Sequence, residues 1–104
     1  MYGLIESDLR YIKVALAKFN EIECGIIYGS RAMGNYKRGS DVDLAIKGKD
    51  ITPNTLYKLS DLLNEEYPLP YFFDLIHYEA VSNMNLINHI DSKGKIIYES
   101  NSGN

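Results

Sequence analysis

Two short apolar runs, Gly25-Ile26-Ile27-Tyr28 and Val42-Asp43-Leu44-Ala45-Ile46, are separated by a glycine-serine pair and a basic loop. Both runs are too short for buried helices and long enough for buried strands. The chain between them therefore leaves one strand at Gly29-Ser30 and enters the next at Asp41-Val42-Asp43. With each of these four residue types at a frequency of about 5–7%, this spacing arises by chance on the order of once per thousand chains of this length. A glycine ending a strand allows a sharp turn and a close backbone approach to a ligand.

The chemistry of the stretch follows from its residue types. Residues 31–36 are expected to form a short helix with Ser30 at its N-terminus, where free N–H groups and a serine hydroxyl favour phosphate. Arg31, Lys37 and Arg38 place three cations within eight residues and are candidate phosphate contacts beside Gly29 and Ser30. Residues 41–47 are read as a strand with Asp41, Asp43 and Ala45 on one face. Two carboxylates so placed suit one or two Mg²⁺ ions, which prefer hard oxygen ligands shared with substrate phosphates. A pair of ions about 4 Å apart can clamp the attacking and leaving oxygens of an in-line displacement. Asp74, the acidic residue inside the apolar run 71–77, is the candidate third carboxylate.

The remaining elements are read from periodicity and breakers. Residues 7–20 form an amphipathic helix with Ser7 as cap and Leu9, Ile12, Leu16 and Phe19 as its stripe. Thr52-Pro53 opens a second helix carrying Leu56, Leu59, Leu62 and Leu63, and Pro68 and Pro70 stop it. Residues 71–77 form a third strand. Ser82 caps a last helix ending near Lys93, with Gly94 as its C-terminal glycine. Lys95–Glu99 is a final strand and residues 100–104 a frayed tail. The sum is an α/β (α+β) domain with a small mixed sheet of about four strands flanked by helices, spanning residues 1–104.

Composition excludes several classes. The 104 residues suit one small domain. No apolar run approaches the roughly 20 residues of a membrane span, and the N-terminus lacks a signal-peptide pattern. A lone Cys24 cannot form an internal disulfide, in keeping with a reducing cytoplasm. A net charge of −3 opposes broad nucleic-acid binding. His77 and His89 show no metal-ligand spacing, and Cys24 lacks a nucleophile's partners. Nine tyrosines are generous for this size, so some are expected at an interface. Tyr36, inside the basic loop, is the one placed to stack on a base.

Gly29-Ser30, ten intervening residues and Asp41-Val42-Asp43 resemble the signature of the minimal nucleotidyltransferase (MNT) domain of the DNA polymerase beta superfamily. The longer match runs from Gly29-Ser30-Arg31-Ala32-x-Gly34 through Ser40-Asp41-Val42-Asp43-Leu44-Ala45. It departs from the family at Met33, where members often carry a second basic residue. The resemblance covers nearly the whole chain. It implies the nucleotidyltransferase fold, Mg²⁺, and a nucleoside triphosphate, ATP, as donor, with Asp41, Asp43 and Asp74 as catalytic metal ligands. It also implies a partner: many such domains pair with a helical HEPN ribonuclease toxin and act as its antitoxin by transferring AMP to a tyrosine. The partner's Arg-x4–6-His signature is absent here. Transfer to a small molecule such as an aminoglycoside or to RNA, and inhibition of a partner by binding alone, are the alternatives. An acceptor domain is missing for the small-molecule version, and the negative charge opposes the RNA one.

Overall fold

The computed structural model describes residues 1–100. Helix α1 spans Glu6–Ala17, strand β1 Cys24–Tyr28, the single turn α2 Ser30–Met33 and strand β2 Val42–Lys47. Helix α3 spans Pro53–Asp61, strand β3 Phe73–His77, helix α4 Met84–Lys93 and strand β4 Lys95–Glu99. The strands form one mixed sheet in the order β3-β2-β1-β4. β1 lies antiparallel to both β2 and β4, whereas β2 and β3 run parallel and need the α3 crossover between them. This is the expected mixed four-stranded architecture.

Two apolar layers sandwich the sheet. Ile12, Ala15 and Leu16 of α1 and Leu59 of α3 close over Ile27, Leu44, Ile46 and Phe73 on one face. On the other, Ile90 and Leu86 of α4 pack on Ile26, Tyr28 and Ala45. That second layer is short, so α4 covers only part of its face. By the two-residue alternation of a strand, Asp43 lies on the same face as Ala45.

Local chemistry explains most boundaries and corrects several of them, including the short helix expected over 31–36, which is the single turn Ser30–Met33 ended by Gly34 at φ +83°. α1 starts earlier than Ser7, because Asp8 rather than a serine caps it: its carboxylate accepts the Ile5 N–H at 3.2 Å and the Tyr71 hydroxyl at 2.8 Å. The helix ends at Ala17, leaving Phe19 beyond it. Thr52 and Pro53 open α3 as read, with Thr52 Oγ1 accepting the Thr55 N–H at 3.3 Å. α3 then continues through a π turn, Leu62–Glu66. The Asn64 carboxamide in that turn brackets Phe73, accepting its N–H at 2.7 Å and donating to its carbonyl at 3.1 Å. This bracket sets the start of β3 at Phe73 instead of Tyr71. Asn83, not Ser82, caps α4, accepting the Leu86 N–H at 3.1 Å. Gly94 follows α4 in an extended conformation, φ −63°, where a Cβ would strike the Ile90 carbonyl and the Ile26 side chain. Of the expected tail, Ser100 is tied by its N–H to the Glu23 carbonyl at 2.9 Å, and residues 101–104 lie outside the described residues. No helix among the described residues is long and apolar enough to cross a membrane.

Candidate active site

The pairing registers of β1, β2 and β3 build the site. Tyr28 of β1 stands opposite Asp43 of β2, which stands opposite Asp74 of β3, so one row crosses three strands. Tyr28 is buried, Asp43 half-buried and Asp74 exposed, so the row opens to solvent toward β3. Gly29 leaves β1 with φ +73° and ψ −151°, and a Cβ there would strike Asp43 Oδ2. Glycine is therefore required twice over at this position, by dihedral and by space.

Electrostatics mark the row as strained by its own charge. Burial, then Asp74 and then Asp41 push the Asp43 carboxyl above the usual carboxylate range, partly opposed by Arg31. Burial together with Asp43 and Asp74 pushes the Tyr28 phenol up to about 12, so it stays protonated at neutral pH. Asp41 and Asp74 thus both act on Asp43, and carboxylate oxygens of this kind are the donors a divalent cation prefers. The three carboxylates do not converge into a preformed triad among the described residues. Asp41 is exposed and precedes β2 instead of sitting within it as the sequence suggested.

The three cations of the loop part company. Arg31, expected on phosphate, is 3% exposed and turned inward. Its Nε donates to the carbonyls of Ser40 at 3.1 Å and Asp41 at 3.3 Å, its Nη2 to Ser40 at 2.6 Å, and its Nη1 to Tyr2 at 2.9 Å. The guanidinium carbon lies 5.3 Å from the Tyr36 ring centre and 4.9 Å from that of Tyr71. Arg31 is thus a buried clamp that fixes the backbone leading to Asp41 and Asp43. Tyr36, read as a base-stacking residue, spends a ring face on this clamp. Lys37 and Arg38 stay exposed in a turn closed by the Lys37 N–H to Ser40 Oγ bond at 2.8 Å. Their side chains, and the Ser30 hydroxyl, have no partner among the described residues.

One residue at the site escaped the sequence reading. His89 of α4 places Nε2 2.9 Å from the Gly29 nitrogen and accepts its N–H. Nothing in the spacing of the two histidines signals this, because the contact joins residues 60 apart. The helical pairing of His89 with Leu86 and its place beside Ile90 were the only available hint that it faces the sheet. His77 lies at the far end of β3, beside the Gly48 carbonyl and Glu79, each at 3.3 Å, and takes no part. Cys24 begins β1 at the end away from Gly29, its thiol pushed up by burial. A cavity of about 360 Å³ lined by Ser7, Arg10, Tyr11, Val14 and Tyr67 contains none of the carboxylates; the chemistry lies on the open face instead.

Comparison with known proteins gives the family and the fold. Residues 10–103 match the family described as polymerase beta, nucleotidyltransferase. No curated protein matches the sequence significantly. Among solved structures, the chain is similar to a toxin–antitoxin crystal structure with AMP-PNP, at a TM-score of 0.74 and 20% identity over 91% of this chain and 76% of that one. It is also similar to a structure of the toxin–antitoxin MntA-HepT, at a TM-score of 0.70 and 16% identity over 95% and 76%. At these identities the likeness is one of fold.

Proposed function

The chain belongs to the polymerase beta nucleotidyltransferase family, and from that premise we propose that it transfers AMP from ATP to a tyrosine hydroxyl of a partner HEPN ribonuclease toxin, acting as its antitoxin. The observation that carries this reading is the Tyr28–Asp43–Asp74 row, with the Gly29 turn packed against Asp43 at one end and open solvent at the other. A donor nucleotide then approaches from the Gly29 side and the acceptor from the β3 side. The similarity in fold to toxin–antitoxin structures, one with an ATP analogue, supports both the donor and the kind of partner.

In this reading Asp41, Asp43 and Asp74 hold Mg²⁺, which, when bound, neutralises phosphate charge and orients the reacting oxygens. The Ser30 hydroxyl donates to a phosphate oxygen, and Gly29 permits the close approach. Lys37 and Arg38 face solvent where a triphosphate tail would lie. The acceptor oxygen bonds to the α-phosphorus, the bridge to the β-phosphate breaks, and pyrophosphate leaves. Asp74, the exposed carboxylate, is placed to take the acceptor proton. A cytoplasmic location accords with the lone Cys24.

The test is incubation of the purified protein with labelled ATP, Mg²⁺ and a candidate toxin encoded beside it. Label on the toxin, with a mass increment of one or more AMP units on a tyrosine, is the expected result. A toxin that forms the complex yet stays unlabelled would sink the transferase reading and leave inhibition by binding.

A further inference from the structure

His89 sits in the middle of α4, one residue before Ile90, which is 2% exposed and anchors the helix on Ile26 and Tyr28. Its ring meets Tyr28 edge-on, with centres 6.1 Å apart and planes at 74°. The imidazole thus packs on the Tyr28 ring while Nε2 accepts the Gly29 N–H at 2.9 Å. Acceptance by Nε2 requires that this nitrogen carry no proton, which leaves the ring hydrogen on Nδ1.

The bond has consequences at both of its ends. Past the end of β1, the Gly29 N–H points away from the ladder and would be orphaned without His89. Satisfying it fixes the orientation of the Tyr28–Gly29 peptide plane, from which the chain turns at φ +73° toward Ser30. Because Gly29 also packs on Asp43 Oδ2, the same contact fixes the distance between the turn and the carboxylate row. An N–H engaged by an imidazole lone pair is not at the same time a donor to phosphate, since both partners are acceptors competing for one proton.

We infer that His89 is a positioning residue for the nucleotide: it holds the Gly29 amide in the free and the nucleotide-bound protein, and so presents the Ser30 hydroxyl to the triphosphate. Gly29 then contributes its conformation and its lack of a side chain, and Ser30 contributes the hydrogen bond. This rests on the nucleotidyl-transfer reading of the site.

Two measurements test it. The first is the amide proton shift of Gly29 and the Nε2 shift of His89 in isotope-labelled protein, before and after addition of α,β-methylene ATP with Mg²⁺. Both signatures of the hydrogen bond are expected to persist in the bound state. Their loss on nucleotide binding means that phosphate displaces the imidazole, and overturns the inference. The second compares affinity for the same analogue in wild type, His89→Leu and His89→Gln. His89→Leu, which keeps the packing but has no acceptor, is expected to bind about tenfold more weakly. His89→Gln, whose Oε1 can accept the Gly29 N–H, is expected to stay within about threefold of wild type. Wild-type affinity in His89→Leu, or failure of a normally melting His89→Gln to restore binding, overturns the inference alone. Failure of wild type to bind the analogue sinks the nucleotidyl-transfer reading and this inference with it. Should His89→Leu not fold, the two shifts in wild type still decide.

Discussion

The turn region Gly29–Asp43 and strand β3 each bring carboxylates to the same row, but they are held in opposite ways. The turn region is fixed from several directions. Arg31 ties its two ends together through three hydrogen bonds to the Ser40 and Asp41 carbonyls and anchors them to Tyr2 by a fourth, and His89 holds Gly29 from helix α4. Strand β3 is an edge strand whose start is bracketed by Asn64, and its Asp74 projects into solvent without a side-chain partner among the described residues. Under the proposed function, the difference separates two tasks. A donor site gains from rigidity, because a triphosphate must be held at one orientation relative to Asp43. An acceptor that arrives on another protein needs an unobstructed carboxylate instead.

The largest effect expected from breaking this arrangement is on Asp41 and Asp43, the proposed metal pair. Asp41→Ala and Asp43→Ala should each cut AMP transfer to the toxin by about three orders of magnitude, roughly 4 kcal/mol of transition-state stabilisation. Labelled-ATP assays on folded variants check this, and near-normal transfer would remove the metal assignment.

Next comes the clamp. Arg31→Ala strands the carbonyls of Tyr2, Ser40 and Asp41 and should cost about 3 kcal/mol in denaturant unfolding. Arg31→Lys should restore only part of that, because an ammonium cannot reproduce the planar fork. Unchanged stability with lost nucleotide affinity would return Arg31 to the phosphate role and erase the contrast with Lys37 and Arg38.

On the β3 side the expected pattern reverses. Asp74→Asn should slow transfer about a hundredfold while leaving unfolding free energy within about 0.5 kcal/mol, as suits an exposed position. A large loss of stability would show that β3 is as tightly built as the turn.

The smallest effect concerns the charge stored in the row. The carboxyl of Asp43 is raised in the folded state, so it binds its proton more tightly there than in the unfolded chain. Its contribution to stability is complete below the unfolded value and is lost as pH rises through the folded one. Asp43→Asn should therefore melt about 1–3 °C higher than wild type at neutral pH without divalent metal. The gap should close as pH falls through the carboxylate range, and Mg²⁺ should narrow it by raising wild type alone. Thermal melts across pH, with and without Mg²⁺, decide the sign.

Much of this molecule was readable beforehand, and the reason differs by residue. Thr52-Pro53 opens α3 because a cap and a proline act within one turn, so sequence distance and spatial distance coincide. The Gly29-Ser30 turn and Asp43 were readable for a similar reason: the apolar runs beside them declare strands, and the strands place them. Asp41 was misplaced by one residue at a strand end, where the backbone follows the Arg31 clamp and not the alternation of side chains. Ser82 and Tyr71 were misassigned because Asn83 and Asn64 make the decisive hydrogen bonds.

The sequence by itself determined the four strands, the glycine-serine turn and the carboxylate at position 43, since short-range periodicity, capping and backbone freedom are local properties. Only the tertiary structure decided that Asp74 stands beside Asp43, that Arg31 is buried while Lys37 and Arg38 are not, and that His89 holds Gly29. Those outcomes depend on which carbonyls, rings and strands arrive from far along the chain. Tyr2, 29 residues from Arg31, and His89, 60 residues from Gly29, settle them through desolvation and hydrogen bonding that no local pattern encodes.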